Sequence, residues 1–123
     1  MGSVQMGGIS TMIKLKRIYD PPVPDDGRRV LVDRLWPRGI AKDAARLDDW
    51  LKEIAPSDAL RKWFGHDPAK WEEFRARYRT ELQSHAEILA TLRAAAKKGT
   101  ITLLYAAKDE EHNNAVVLKE LFD

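Results

Sequence analysis

Two short apolar runs, "RVLVDRL" at residues 29–35 and "TITLLYAA" at residues 100–107, stand at the two ends of a long stretch with helical periodicity. Neither run alternates cleanly between apolar and polar residues, so each suits a strand buried on both faces. A strand, a long helical crossover and a second strand make a parallel, right-handed arrangement. The segments that follow both runs then leave the carboxyl ends of parallel strands on one rim, where open α/β sheets hold ligands. A third run, "MIKLKRI" at residues 12–18, sets Ile13 and Leu15 against Lys14 and Lys16 and reads as a half-exposed edge strand. The connection to residue 29 is short for a parallel crossover, which leaves its direction open. The expected fold class is α/β, a small, mainly parallel three-stranded sheet covered by about five helices.

The intervening stretch is punctuated. Asp43 is placed to cap a helix whose Leu47, Trp50, Leu51 and Ile54 form one apolar stripe ending before Pro56. Ser57 caps a short helix with Leu60, Trp63 and Phe64, and Gly65 ends it. Asp67 followed by Pro68 starts a helix with Trp71, Phe74, Tyr78 and Leu82 on one face. Ser84 with Glu87 offers a capping box for a further helix that stops at Gly99. A last helix is expected to begin at residues 109–111 and to turn Val117, Leu118, Leu121 and Phe122 inward.

A chain of 123 residues, 44% hydrophobic, is enough for one core, so residues 13–123 read as a single domain and residues 1–12 as a flexible N-terminal tail. With 21 basic and 19 acidic residues the formal charge is +2, which gives no electrostatic preference for nucleic acid or an anionic membrane. The absence of cysteine excludes disulfides, thiol catalysis and thiolate-bound metals within the chain and fits a reducing compartment. Neither a secretory leader nor an apolar run of ~18 residues is present, so cytoplasmic location is the expectation.

On the rim, the first loop contributes Asp33, Arg34, Trp36, Arg38 and Gly39, and the second Lys108, Asp109, His112, Asn113 and Asn114. Arginine forks and a lysine point charge suit phosphate or carboxylate, and Asn113 and Asn114 can orient a polar ligand. Trp36 offers a wall. His112 and Asp33 are the groups suited to proton transfer near neutral pH, in a hydrolytic or transfer reaction if the site is catalytic. A structural alternative stands beside this: Arg34 pairs with Asp33 or a helix carboxylate, and Asp109 is only an N-cap. Trp50, Trp63 and Trp71 fall at core spacing. His66, His85 and His112 lack metal-ligand spacing, so no metal is expected, and the sequence names no cofactor.

The strings "VLVDRLWPRG", "APSDALRKWFGHDP" and "LLYAAKDEEHNNA", in this order, resemble the YeaO-like family of small bacterial proteins, over residues 13–122. The resemblance implies an α/β fold and brings no activity with it. Related groups carry Asp-x-Arg-x-x-Pro after a strand and a cysteine-rich segment near the end. Here Arg34 and Pro37 keep the Arg-x-x-Pro spacing, Asp33 is one place out of register, Tyr105 stands at a cysteine position, and Asn113 and Asn114 replace a Cys-His-Arg cluster. The rim location carries over; thiol or metal chemistry does not.

The leading functional reading is therefore a domain that binds a small anionic molecule, phosphate-bearing or nucleotide-like, between the two rim loops. The runner-up is a nucleic-acid-binding or regulatory module using Arg75, Arg77, Arg79, Lys97 and Lys98, against which stand the near-neutral charge and interleaved glutamates. A partner-binding domain with self-filled rim loops is the third.

Overall fold

The computed structural model describes residues 12–123. Its sheet has four parallel strands, β1 (Ile13–Arg17), β2 (Arg28–Leu31), β3 (Asp49–Trp50) and β4 (Ile101–Tyr105), in the spatial order β1-β4-β2-β3. The two core runs are neighbours at its centre, with Arg28 opposite Ile101 and Leu31 opposite Leu104. β1 lies parallel on the outer side of β4, Ile13 opposite Ile101 and Arg17 opposite Tyr105. All five residues of β4 are buried, as its unbroken apolar pattern requires.

The direction of β1 is settled by a crossover, residues 18–27, that needs no α-helix. It runs with one 3₁₀ turn, Pro24–Asp26, and passes over β4, where the Thr102 hydroxyl donates to the Asp26 carbonyl at 2.7 Å. The buried Asp26 carboxylate takes bonds from Lys16 Nζ at 3.0 Å and Arg29 Nη1 at 2.6 Å. Met12, assigned to the tail by its sequence, has its N–H on the Ala96 carbonyl and its carbonyl on the Ile101 N–H. Residues 1–11 of that tail lie outside the described residues.

Five α-helical segments follow: α1 (Lys42–Ala45), α2 (Asp58–Phe64), α3 (Trp71–Leu82), α4 (Ala86–Lys98) and α5 (Asn114–Phe122), of which α1 is a single turn. The longer four cover one face of the sheet, enclosing Val30, Val32, Ile101, Leu103 and Tyr105. The other face, with Leu31 and Leu104, is covered by loop residues including Trp36, Ile40, Leu47 and Trp50.

Three expectations are corrected. Asp43 caps no helix: α1 is entered from Ala41, holds Asp43 inside its single turn and stops at Ala45, because the Arg29 guanidinium occupies the Ala45 and Arg46 carbonyls and Arg46 turns left-handed at φ 50°. The chain then forms a fourth strand, with Val30 opposite Asp49 and Leu31 opposite Trp50, so the apparent helical stripe is shared between an edge strand and the loop. Ser84 makes no capping box: its hydroxyl donates to the Glu81 carbonyl, and the break falls at the 3₁₀ turn Gln83–His85. The last helix begins at Asn114, capped by Asn113, whose side-chain oxygen accepts from Val116 N–H at 3.1 Å. By contrast Ser57 caps α2 through the Leu60 N–H, and Asp67 caps the turn that leads into α3, as their spacing predicts.

A candidate anion pocket at the carboxyl ends of the central strands

Beyond Leu31 and Tyr105 the central strands part. The last backbone rung joins Val32 N–H to the Leu104 carbonyl at 3.1 Å. One step on, Asp33 replaces a backbone partner with its side chain: Oδ2 accepts from Ala106 N–H at 2.9 Å. Asn114, at the start of α5, donates to the Val32 carbonyl at 2.9 Å and to Asp33 Oδ1 at 3.2 Å. Trp50 Nε1 fixes the Asp33 carbonyl at 2.7 Å. Burial raises the Asp33 pKa above the ordinary carboxylate value and outweighs the opposing bonds from Ala106 and Asn114 and the fields of His66 and Arg61.

Arg34 does not pair with Asp33. Its Nε donates to the Pro56 carbonyl at 3.1 Å and its Nη2 to the Ala55 carbonyl at 3.3 Å, with Asp58 at 3.9 Å. The arginine thus pins the rim loop to the approach of α2. Trp36 packs edge-on against Trp50, centroids 5.3 Å apart, and gives its N–H to the Ile40 carbonyl. Arg38 is exposed; its backbone carbonyl accepts from the Tyr19 hydroxyl at 3.0 Å.

In the second loop, Asp109 Oδ1 accepts the N–H groups of Glu111 and His112, and Oδ2 meets His112 Nδ1 at 2.9 Å. The Glu111 N–H first, and then His112, hold the Asp109 carboxyl below its ordinary pKa. Asp109 therefore caps a turn, five residues before α5. Asn113 is buried and occupied at both ends, donating to the Asp109 carbonyl and capping α5.

Between the loops opens a cavity of about 560 Å³. Its wall includes Asp33, Arg34, Trp36, Arg38, Lys108, His112, Asn113 and Asn114, so eight of the ten residues singled out in the sequence converge there. Gly39, in open space at φ 76°, and Asp109 lie off the wall and shape the turns behind it.

The wall also holds Tyr19, Arg61, Phe64, His66 and Phe74, which sequence reasoning missed. Phe64 and Phe74 sit at core spacing, and nothing in that spacing tells a core floor from a cavity floor. Gly65 and His66 are both left-handed, φ 54° and 57°, which turns the chain after α2 toward the rim. A histidine there is uncommon and gives no signal in the sequence. Arg61 reaches Asp58 through Nη2, while its buried Nε has no partner.

The surface arginines of the nucleic-acid reading are occupied: Arg75 by Glu72 and Glu120, Arg77 by Glu73, and Arg79 by Glu120. Among the described residues, no group of three or more metal-binding side chains is placed to hold an ion, and no helix is long and apolar enough to cross a membrane.

Comparison with known proteins places the sequence in a family. The family described as the inactive DUF488-N3 subclade matches residues 12–123. The uncharacterized protein YeaO of Escherichia coli is 48% identical over 108 residues, 88% of this chain and 94% of that one. An uncharacterized protein of Mycobacterium tuberculosis is 42% identical over 113 residues, 92% of this chain and 95% of the relative. No solved structure matches.

Proposed function

The chain belongs to the YeaO-like family, within the inactive DUF488-N3 subclade, and we propose that its rim pocket binds a small anionic molecule without turning it over. One observation carries this reading: Arg38 and Lys108 line the cavity from opposite loops, and neither has an ion-pair partner among the described residues. Arginine supplies a planar fork for phosphate or carboxylate and lysine a point charge. Arg34 and Arg61 add positive field from the side of α2, against one wall carboxylate, Asp33. The description of the family as inactive supports binding over catalysis, and the cysteine-free sequence supplies no thiol nucleophile.

Thermal denaturation with inorganic phosphate, ribose 5-phosphate and small carboxylates tests the reading. A ligand at 100 times its Kd stabilises by ~2.7 kcal/mol, an easily measured rise in Tm. The double variant Arg38→Ala/Lys108→Ala is expected to fold and to lose that rise. If no such anion, nucleoside monophosphates included, stabilises the wild type, the anion site falls; release of phosphate from a phosphoester by the pure protein would overturn the non-catalytic part.

A further inference from the structure

Resting on the anion-site reading, we infer that the pocket selects an anion whose aromatic body carries a nitrogen-bound hydrogen-bond donor, the chemistry of an amino-substituted nucleobase phosphate, and that Asp33 receives that donor. Asp33 is the wall's carboxylate, yet the nearby cations leave it unpaired. Arg34, its neighbour in sequence, turns away to the carbonyls of Ala55 and Pro56, and Arg61 reaches Asp58. Only two neutral donors meet Asp33, Ala106 N–H on Oδ2 and Asn114 Nδ2 on Oδ1. A carboxylate has roughly four acceptor positions, so about two remain, on a group that lines the cavity and is largely withdrawn from water. A largely desolvated acceptor of this kind is satisfied by a donor from the ligand.

The apolar surface around it indicates the rest of the ligand. The Trp36 N–H is committed to the Ile40 carbonyl, so the indole offers carbon surface to the cavity. Phe64 and Phe74 stack at 4.3 Å beneath, and Leu35, 58% exposed, stands at the lip. A bare phosphate or short carboxylate would leave the indole of Trp36 and the Leu35 side chain wet, whereas a flat ring covers them above the buried phenylalanine floor. The cationic groups Arg38 and Lys108 then meet the anionic end, while Asp33 reads the ring edge.

Adenosine 5′-monophosphate and purine riboside 5′-monophosphate differ only in the exocyclic amine, so their relative affinity isolates this contact. Calorimetry on the wild-type chain is expected to show the amine-bearing nucleotide binding about tenfold tighter or more, the effect of a hydrogen bond to a charged acceptor. Asp33→Asn is expected to erase the difference while keeping or improving affinity for ribose 5-phosphate, since a negative charge leaves the cavity. Equal wild-type affinities, with ribose 5-phosphate still bound, would overturn the inference and leave the anion site standing; so would a preference that survives in folded Asp33→Asn. Should that variant fail to fold, the wild-type comparison decides alone. Failure of every phosphate-bearing probe to bind would remove both readings.

Discussion

Asp109 Oδ2 lies 2.9 Å from His112 Nδ1, while its other oxygen accepts two backbone N–H groups of the same turn. The carboxylate is anchored before it meets the ring, so it fixes the ring rather than following it. A carboxylate on Nδ1 requires a proton there, which leaves Nε2 as the unprotonated nitrogen of the neutral imidazole. The edge contact with Trp71, at 5.2 Å, limits rotation further. Nitrogen-15 spectra at about pH 8 are expected to show His112 as the Nδ1–H tautomer, with Asp109→Ala reverting to the usual Nε2–H form. An Nε2–H tautomer in the wild type would contradict the arrangement.

Arg34 and Arg38 are expected to part company on mutation. Arg38 is exposed and its guanidinium touches no partner among the described residues, so Arg38→Ala should alter stability by no more than ~0.5 kcal/mol. Arg34→Ala strips donors from the carbonyls of two buried residues, Ala55 and Pro56, at a cost of ~1–3 kcal/mol. Urea denaturation of both variants measures the difference. Equal stabilities would mean that Arg34 is not the strap the geometry makes it.

The central strands and the rim were legible because their signals are local and unambiguous: two uninterrupted apolar runs, and Asp33, Arg34 and Lys108 just beyond them. The crossover from β1 was not legible, because a ten-residue link is held by side-chain bonds from Lys16 and Arg29 to Asp26 and by the long-range bond from Thr102, none of which a periodicity encodes. The same Arg29 cut short the helix predicted from Asp43 by taking its carbonyls. Leu47, Trp50 and Leu51 obey helical spacing, and tertiary pairing with β2 overrode it. In the site, the missed residues Arg61 and His66 belong to α2 and the turn after it, and only the tertiary fold brings that turn against the rim.

Gly27 and Gly39 both have positive φ, and alanine should separate conformational strain from collision. At Gly39, φ 76°, a Cβ would enter open space, so Gly39→Ala costs only the ~1–2 kcal/mol of left-handed backbone. At Gly27, φ 61°, a Cβ would lie 2.4 Å from the Thr100 carbonyl oxygen, where the crossover enters β2. Backbone cannot step aside there without opening the Arg28 N–H bond to that same carbonyl. Gly27→Ala is expected to lower Tm well beyond Gly39→Ala, and calorimetric melting of the pair checks the order.

Asp26 and Asp33 titrate with opposite consequences. For Asp26, burial pushes the pKa up, but bonds from Val23 N–H, Lys16 and Arg29 outweigh it and the folded value lies below the ordinary one. Its stabilising contribution is full above the unfolded pKa and is lost as pH falls through the lower folded pKa. For Asp33, burial dominates and the folded value lies above the ordinary one. Its contribution is greatest below the unfolded pKa and is lost as pH rises through the folded pKa. Asp26→Asn strands the buried Arg29 guanidinium without its carboxylate and should cost ~3–5 kcal/mol at neutral pH, a gap that narrows in acid below about pH 4. Asp33→Asn should behave inversely: whatever offset the altered bond to Asn114 sets at neutral pH, the difference moves in the wild type's favour as pH falls toward about 4, because the wild-type carboxyl takes up its proton. Melting temperatures of the three proteins across that range read both slopes, and slopes of the same sign would refute the opposed titrations.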